Sequence, residues 1–255
     1  MEKSKTIEYT IKNHVAWITL NRPEKKNAIN RTMRKEIQEA YTDVKFNDEV
    51  WATVITANGD VFCSGKDLLE KLPEDDGEVM SNDELYLFLR HIYKPVICAI
   101  NGPCLAQGGG FALNSDIVIM SENSSIGWPQ VKRGISSVSG PVLLAQSIPW
   151  TQAMSYLMRA KFIPAKECFR FGIANEIVPL EELSDTAERW AKEILSNAPA
   201  AVCAVKEAAR RGEHLPFVDR MFLARDIANK VLHTEDSKEG ILAFKEKREP
   251  KWKGK

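Results

Sequence analysis

Three short apolar runs constrain this chain more than any other feature. They are Thr53-Val54-Ile55-Thr56, Val96–Ile100 and residues 117–120. Runs this short and this continuously apolar read as strands buried on both faces. Helical spacing lies beside them: Met33, Ile37, Ala40, Tyr41 and Val44 recur at a 3.6-residue period on one face. Buried strands alternating with helices predict an α/β fold with largely parallel pairing.

The two ends of the chain differ from this middle. Ile7, Tyr9 and Ile11 alternate with polar residues, a turn follows at Lys12-Asn13-His14, and a second run spans Val15–Leu20. That pattern predicts a hairpin. From Ala198-Pro199 onward the pattern is helical, with Phe217, Met221, Ala224, Ala228 and Val231 forming one stripe. Gly212 and Leu215-Pro216 separate this helix from the alanine-rich one before it. The chain therefore reads as an α/β core over residues 1–197 and a helical region over 198–255. The stripe packs either on this chain's core or on a neighbouring subunit.

Lysine plus arginine equals aspartate plus glutamate, for a formal net charge of zero. No global basic excess exists for nucleic acid. No apolar run approaches the ~20 residues of a membrane span. The first residues lack the apolar core of a signal peptide, so a cytoplasmic location is expected. The five cysteines (63, 98, 104, 168, 203) are odd in number and lack a C-x-x-C pair, which argues against a disulfide framework or zinc site. The four histidines (14, 91, 214, 233) lack metal-ligand spacing. No metal and no cofactor is expected.

Three segments carry candidate chemistry. Asn21-Arg22-Pro23-Glu24-Lys25-Lys26-Asn27-Ala28 leaves a strand and enters a helix. It is either a polar turn or a place where lysines and backbone groups meet a nucleotide's phosphates. Val61-Phe62-Cys63-Ser64-Gly65-Lys66-Asp67-Leu68 follows the second of the parallel strands, and its glycine permits a sharp turn that exposes N–H groups. Asn101-Gly102-Pro103-Cys104-Leu105-Ala106-Gln107-Gly108-Gly109-Gly110-Phe111-Ala112-Leu113 follows a strand and starts a helix. Glycines at a helix start leave N–H groups unpaired, where the helix dipole favours a developing oxyanion.

In this order and spacing the segments resemble the crotonase, or enoyl-CoA hydratase/isomerase, superfamily. The resemblance covers essentially the whole chain. It continues through Asp116-Ile117-Val118-Ile119, residues 126–135, Phe171-Gly172-Ile173-Ala174-Asn175-Glu176-Ile177-Val178-Pro179, Thr234-Glu235-Asp236-Ser237-Lys238-Glu239-Gly240 and Phe244-Lys245-Glu246-Lys247-Arg248. It implies a spiral of repeated β-β-α units with a C-terminal helical trimerisation region. The partners it implies are an acyl-CoA substrate and further copies of the chain, as a trimer or hexamer. It implies that backbone N–H groups of Ser64 and Gly109 form an oxyanion hole. Lys25 or Lys26, Asn27, Ala28, Ser64, Lys66, Asp67 and Leu68 would hold coenzyme A. Phe244 and Lys247 would reach it from the tail, often in a neighbouring subunit.

The sequence departs from the family where acid–base work is done. Hydratases of the family use two glutamates; the matching positions here are Ala112 and Gln130, the latter in Trp128-Pro129-Gln130. An amide orients a water or a carbonyl but exchanges no proton near neutral pH. The loop after it carries Ser136, Ser137 and Ser139 without a visible base partner. Replacement acid–base groups are sought at His91, Lys66, Glu70, Lys71 and His233. Trp128, Tyr86, Phe88 and Tyr93 suggest an aromatic-lined acyl pocket. Three functions follow: a decarboxylase, hydrolase or lyase on a CoA thioester; a hydratase or isomerase with another base; or a catalytically weak acyl-CoA-binding subunit.

Overall fold

The structure is a computed structural model describing residues 5–70, 77 and 79–255. It opens on the expected hairpin, β1 (Ile7–Lys12) paired antiparallel with β2 (Val15–Leu20). Asn13 and His14 both take positive φ at its turn, which matches the twist of the flanking strands. Helix α1 (Arg31–Phe46) starts where the Asn30 side chain accepts the Met33 N–H at 2.9 Å. Its buried face holds all five apolar residues of the helical pattern, with Arg34 beside them.

The middle of the chain alternates short strands and helices. In order they are β3 (Ala52–Ala57), α2 (Asn82–Arg90), β4 (Val96–Ile100), β5 (Pro103–Leu105), α3 (Gln107–Asn114), β6 (Ile117–Ser121) and β7 (Ser125–Gly127). Then come α4 (Ala145–Ser147), α5 (Trp150–Met158), β8 (Ile163–Pro164), α6 (Ala165–Arg170), β9 (Glu176–Val178) and α7 (Leu183–Leu195). The large sheet has order β1-β2-β3-β4-β6-β9, parallel from β2 onward; a small sheet has order β5-β7-β8. The strand pairs β4–β5 and β6–β7 each send one strand to each sheet. A bridge between Cys63 and Cys104 extends the same pattern back to the segment after β3. This is the β-β-α repeat expected from the sequence.

Strands β3, β4 and β6 are dry on both faces, which explains the continuous apolar runs. Alternate residues Ile18, Ile55, Cys98 and Met120 join the main core with α1, α2 and α3. Their neighbours Val54, Ile97, Ala99 and Ile119 pack on Leu183, Ala187 and Ala191 of α7.

The helical tail comprises α8 (Pro199–Gly212), α9 (Phe217–Val231) and α10 (Glu235–Glu246). A buried polar clamp helps join it to the core. Lys206 donates to Asp116 at 2.6 Å and to the Lys94 carbonyl at 2.9 Å, while Asp116 also accepts the Val96 N–H at 2.8 Å. The predicted apolar stripe of α9 is not packed on this chain: Phe217 and Met221 are exposed, and Ile227 is the helix's one buried residue.

Candidate active site

Two turns meet beyond the ends of β3 and β4. A Cβ at Gly65 would lie 2.9 Å from the Ala106 Cβ. Gly65 has φ +102°, a conformation that favours glycine. On the first turn, Ser64 N–H donates to the Lys26 carbonyl at 3.0 Å, Gly65 N–H to Cys63 Sγ at 3.4 Å, and Asp67 N–H to the Ile29 carbonyl at 3.0 Å. Lys66 N–H has no acceptor among the described residues. On the second turn, Gly108 N–H lies toward the Cys63 thiol, whose ionisation it favours, and Gly110 N–H donates to the Ala106 carbonyl at 3.2 Å. Gly109 N–H has no acceptor among the described residues. Each arm thus leaves its middle amide free.

This corrects the expectation for Ser64. Its amide is engaged with Lys26, so the free donor on that arm belongs to Lys66. The two arms share Cys63. Its sulfur accepts Gly65 N–H and lies near Gly108, and its carbonyl accepts Leu105 N–H at 2.7 Å. Burial pushes the Cys63 thiol up to about 12, so it is a neutral acceptor and no nucleophile.

A cavity of about 340 Å³ opens on these arms. Ser64, Lys66, Ala106 and Gln107 form one side; Asn82, Asp83 and Tyr86 of α2 and the segment from Pro129 to Ser139 form the rest. Three of its side-chain oxygens, Asn82 Oδ1, Gln107 Oε1 and Gln130 Oε1, are buried without a protein partner. Each such group costs ~1–3 kcal/mol if left unmet, so the cavity is shaped for a polar ligand. Gly109 does not itself line the cavity but follows Gln107, which does, and a Cβ there would come 2.6 Å from the Trp128 ring.

The other expected residues divide. Gln130, Lys66, Leu68 and Ser64 line the cavity. Trp128 does not line it; 3% exposed, it is wedged between Gly109 and Gly140 and donates from Nε1 to Ser139 Oγ at 3.1 Å. Asn27 is fully buried, and its side chain binds Arg22 N–H, the Asn58 carbonyl and the Val61 carbonyl, which leaves nothing for coenzyme A. Asp67 pairs with Arg22 at 3.3 Å, and Arg22 also donates to the Ala28 carbonyl. These residues brace the turn. Lys25 sits beside them on an exposed 3-10 turn, Pro23–Lys25.

His91 is not brought to the cavity. It ends α2 on the exposed side with Nδ1 2.6 Å from the Leu87 carbonyl, because Leu85, Tyr86 and Leu89 take the buried face. Glu70 accepts Arg31 N–H at the start of α1, a capping role. His233 does not line the cavity, and Lys71 lies outside the described residues. Phe244, 86% exposed, and Lys247 sit on the tail and do not line it within one chain. Ala112 is buried in the main core.

Sequence reasoning missed Asn82, Asp83, Gln107 and Arg133 as cavity residues. Part of the signal was readable. Ser81 and Glu84 have capping-box spacing, and both bonds of the box form, which starts α2 there and aims Asn82 and Asp83 at the cavity.

Comparison with known proteins now bears on this geometry. The family model described as enoyl-CoA hydratase/isomerase matches residues 10–255. The chain belongs to the enoyl-CoA hydratase/isomerase family. It is 38% identical to the carnitinyl-CoA dehydratase of Proteus mirabilis, over 99% of this chain and 100% of that one. It is 32% identical to the (E)-benzylidenesuccinyl-CoA hydratase of Thauera aromatica, over 96% and 97%. The solved enoyl-CoA hydratase/isomerase of Mycobacterium paratuberculosis superposes with TM-score 0.90 at 34% identity, covering 98% and 99%. Membership in the enoyl-CoA hydratase/isomerase family makes this chain an acyl-CoA enzyme. Among the described residues, no helix is long and apolar enough to cross a membrane, and no cluster of three metal-ligating side chains occurs.

Proposed function

We propose that this enzyme generates an enolate from a CoA thioester by loss of CO₂, which needs no general base, or by a related lyase step; a hydrolase step would call on a neighbouring side chain to activate water. The observation that carries this reading is the pair of unengaged amides at Lys66 and Gly109, beside a position 130 that holds an amide instead of a carboxylate. In the decarboxylation, the bond from Cα to the carboxyl carbon breaks. Its electron pair becomes the enolate, and the charge settles on the thioester oxygen. The two N–H groups stabilise that charge, and one such donor contributes ~10²–10³ in rate. A proton from solvent then completes Cα. Gln130 orients the acyl group or a water and transfers no proton. Lys25 and Lys66 hold the coenzyme's phosphates, and the reading calls on no other cofactor.

A second reading is hydration or dehydration. It is favoured by the names of the relatives and by Asp83, a carboxylate in the cavity wall. The exposed apolar stripe of α9 also supports self-association through residues 198–255 as a trimer or hexamer, with Phe244 and Lys247 presented to a neighbouring subunit's coenzyme.

The test is product analysis by mass spectrometry on methylmalonyl-CoA, β-ketoacyl-CoAs, crotonyl-CoA and aromatic enoyl-CoAs, with Gln130→Glu beside the parent. CO₂ loss or carbon–carbon cleavage by the parent, with hydration only in Gln130→Glu, supports the first reading. Strong hydration by the parent that Asp83→Asn abolishes overturns it for the second.

A further inference from the structure

A second cavity, of about 430 Å³, shares Asp83, Tyr86, Val138 and Ser139 with the first. Its wall is mostly apolar, from Leu87, Val142 and Leu143. The one arginine in that wall, Arg90, is engaged by Glu213 and by Asn114 Oδ1. Each cavity alone sits near the low end of the ~300–1,000 Å³ that ligand sites occupy.

Tyr86 stands at their junction, 6% exposed. Its hydroxyl donates to the Gln107 carbonyl at 3.0 Å, beside Ser139, whose Oγ accepts Trp128 Nε1–H. The ring meets Phe111 edge-on at 5.5 Å between centroids. It can lie there because residue 110 is glycine; a Cβ would come 2.3 Å from Cζ. The phenol is therefore latched by its hydrogen bond to the Gln107 carbonyl, between a polar cavity and an apolar one.

We infer that the second cavity receives the far end of the acyl group, that this end is neutral and apolar, and that Tyr86 sets which acyl groups reach it. The inference rests on the reading that the first cavity holds the thioester. A short acyl group fits with the latch closed. A longer one must break the hydrogen bond of Tyr86 to Gln107 before its methylenes gain from burial in the second cavity. A tail ending in a carboxylate finds Arg90 already neutralised by Glu213.

The experiment is calorimetric binding of saturated acyl-CoAs, which need no turnover: butyryl-, hexanoyl- and decanoyl-CoA, with an ω-carboxyacyl-CoA of decanoyl length. Each variant is judged by its ratio of butyryl to decanoyl dissociation constants. Tyr86→Ala is expected to shift that ratio at least tenfold toward decanoyl-CoA, and Tyr86→Phe, which keeps the ring and loses the latch, about threefold. Adding Val142→Trp, which fills the second cavity from an exposed position, should reverse either shift. Should Tyr86→Ala fail to fold, Tyr86→Phe with and without Val142→Trp carries the test. Unchanged ratios in all foldable variants overturn the inference. Equal binding of the ω-carboxyacyl and decanoyl thioesters by the opened variant overturns the apolar assignment. Failure of the parent to bind even butyryl-CoA would instead refute the acyl-CoA reading of the first cavity.

Discussion

The side of the cavity built from residues 63–67 and 106–110 is a backbone surface, whereas the side built from α2 and residues 129–139 is a side-chain surface. In the first, glycines are crowded: a Cβ would meet Ala106 from Gly65 at 2.9 Å, Cys63 from Gly108 at 2.8 Å and Trp128 from Gly109 at 2.6 Å. In the second, Asp83, Arg133, Ser136 and Val138 are exposed. Packing tolerates change in the second and forbids it in the first. The chemistry divides the same way. Donors to an oxyanion come from amides, which survive substitution of the side chains they carry. Proton transfer comes from side chains, which can change without changing the fold.

Substitution in the crowded side should therefore have the largest effect. Gly109→Ala pushes a methyl group into the Trp128 ring and displaces the free amide. Turnover of whichever thioester the parent processes should fall by ~10²–10³, the cost of one lost oxyanion donor. Steady-state kinetics checks this, with a melting curve to confirm folding. Retained kcat in a folded Gly109→Ala would break the comparison, because the backbone side would then be dispensable.

Next in size is a change on the side-chain surface. Gln130→Glu places a carboxylate in the cavity where an unpartnered amide oxygen now sits. One carboxylate recovers part of the ~10²–10⁴ that general acid–base help contributes. Crotonyl-CoA hydration, followed by loss of enoyl absorbance, should rise about tenfold over the parent, at the modest end of that range. The melting temperature should stay within about 2 °C, as for a surface substitution. A large stability loss would show that this side is packed like the other.

These contrasts mirror what was legible in the sequence. The runs that became β3, β4 and β6 were readable because both sheet faces are dry, so hydrophobicity alone marked them. Gly109 was readable because only glycines accumulate where a helix start meets an aromatic ring. Ser64 was misread by two positions. Which amide stays free depends on Lys26, a residue 38 positions earlier, folding back to accept the Ser64 N–H. His91 was misread because proximity to β4 in sequence says nothing about which side of α2 it ends on. Asp83 and Asn82 were missed because polar residues at a helix start look like capping residues until the cavity beside them is seen.

Cys63 ties the two arms together, and its substitution sharpens the comparison at a smaller scale. Cys63→Ala removes the acceptor of Gly65 N–H and the sulfur that lies near Gly108. Unsatisfied buried donors cost ~1–3 kcal/mol each, and each kcal/mol lowers the melting temperature by ~2–4 °C in a chain of this size. Kinetics should show a lower kcat with KM nearly unchanged, since the sulfur positions the donors and touches no substrate. Cys63→Ser, which restores an acceptor, should recover most of the loss. An equal rise in KM would make Cys63 a packing residue only.

The smallest expected effect is a reaction that barely occurs. Burial holds the Cys63 and Cys168 thiols up at about 12, and only the thiolate attacks an alkylating reagent. A thiol of that kind is ionised at pH 8 to about one part in 10⁴. Iodoacetamide at pH 8 should label Cys203, which is only partly buried, well before Cys63, Cys98, Cys104 or Cys168. The sign with pH is fixed: a raised thiol pKa means labelling rises about tenfold per pH unit throughout the range below it. Peptide mapping of the labelled protein distinguishes the sites. Rapid labelling of Cys63 at pH 8 would mean that the backbone side opens to solvent, and the rigidity that separates it from the side-chain surface would be lost.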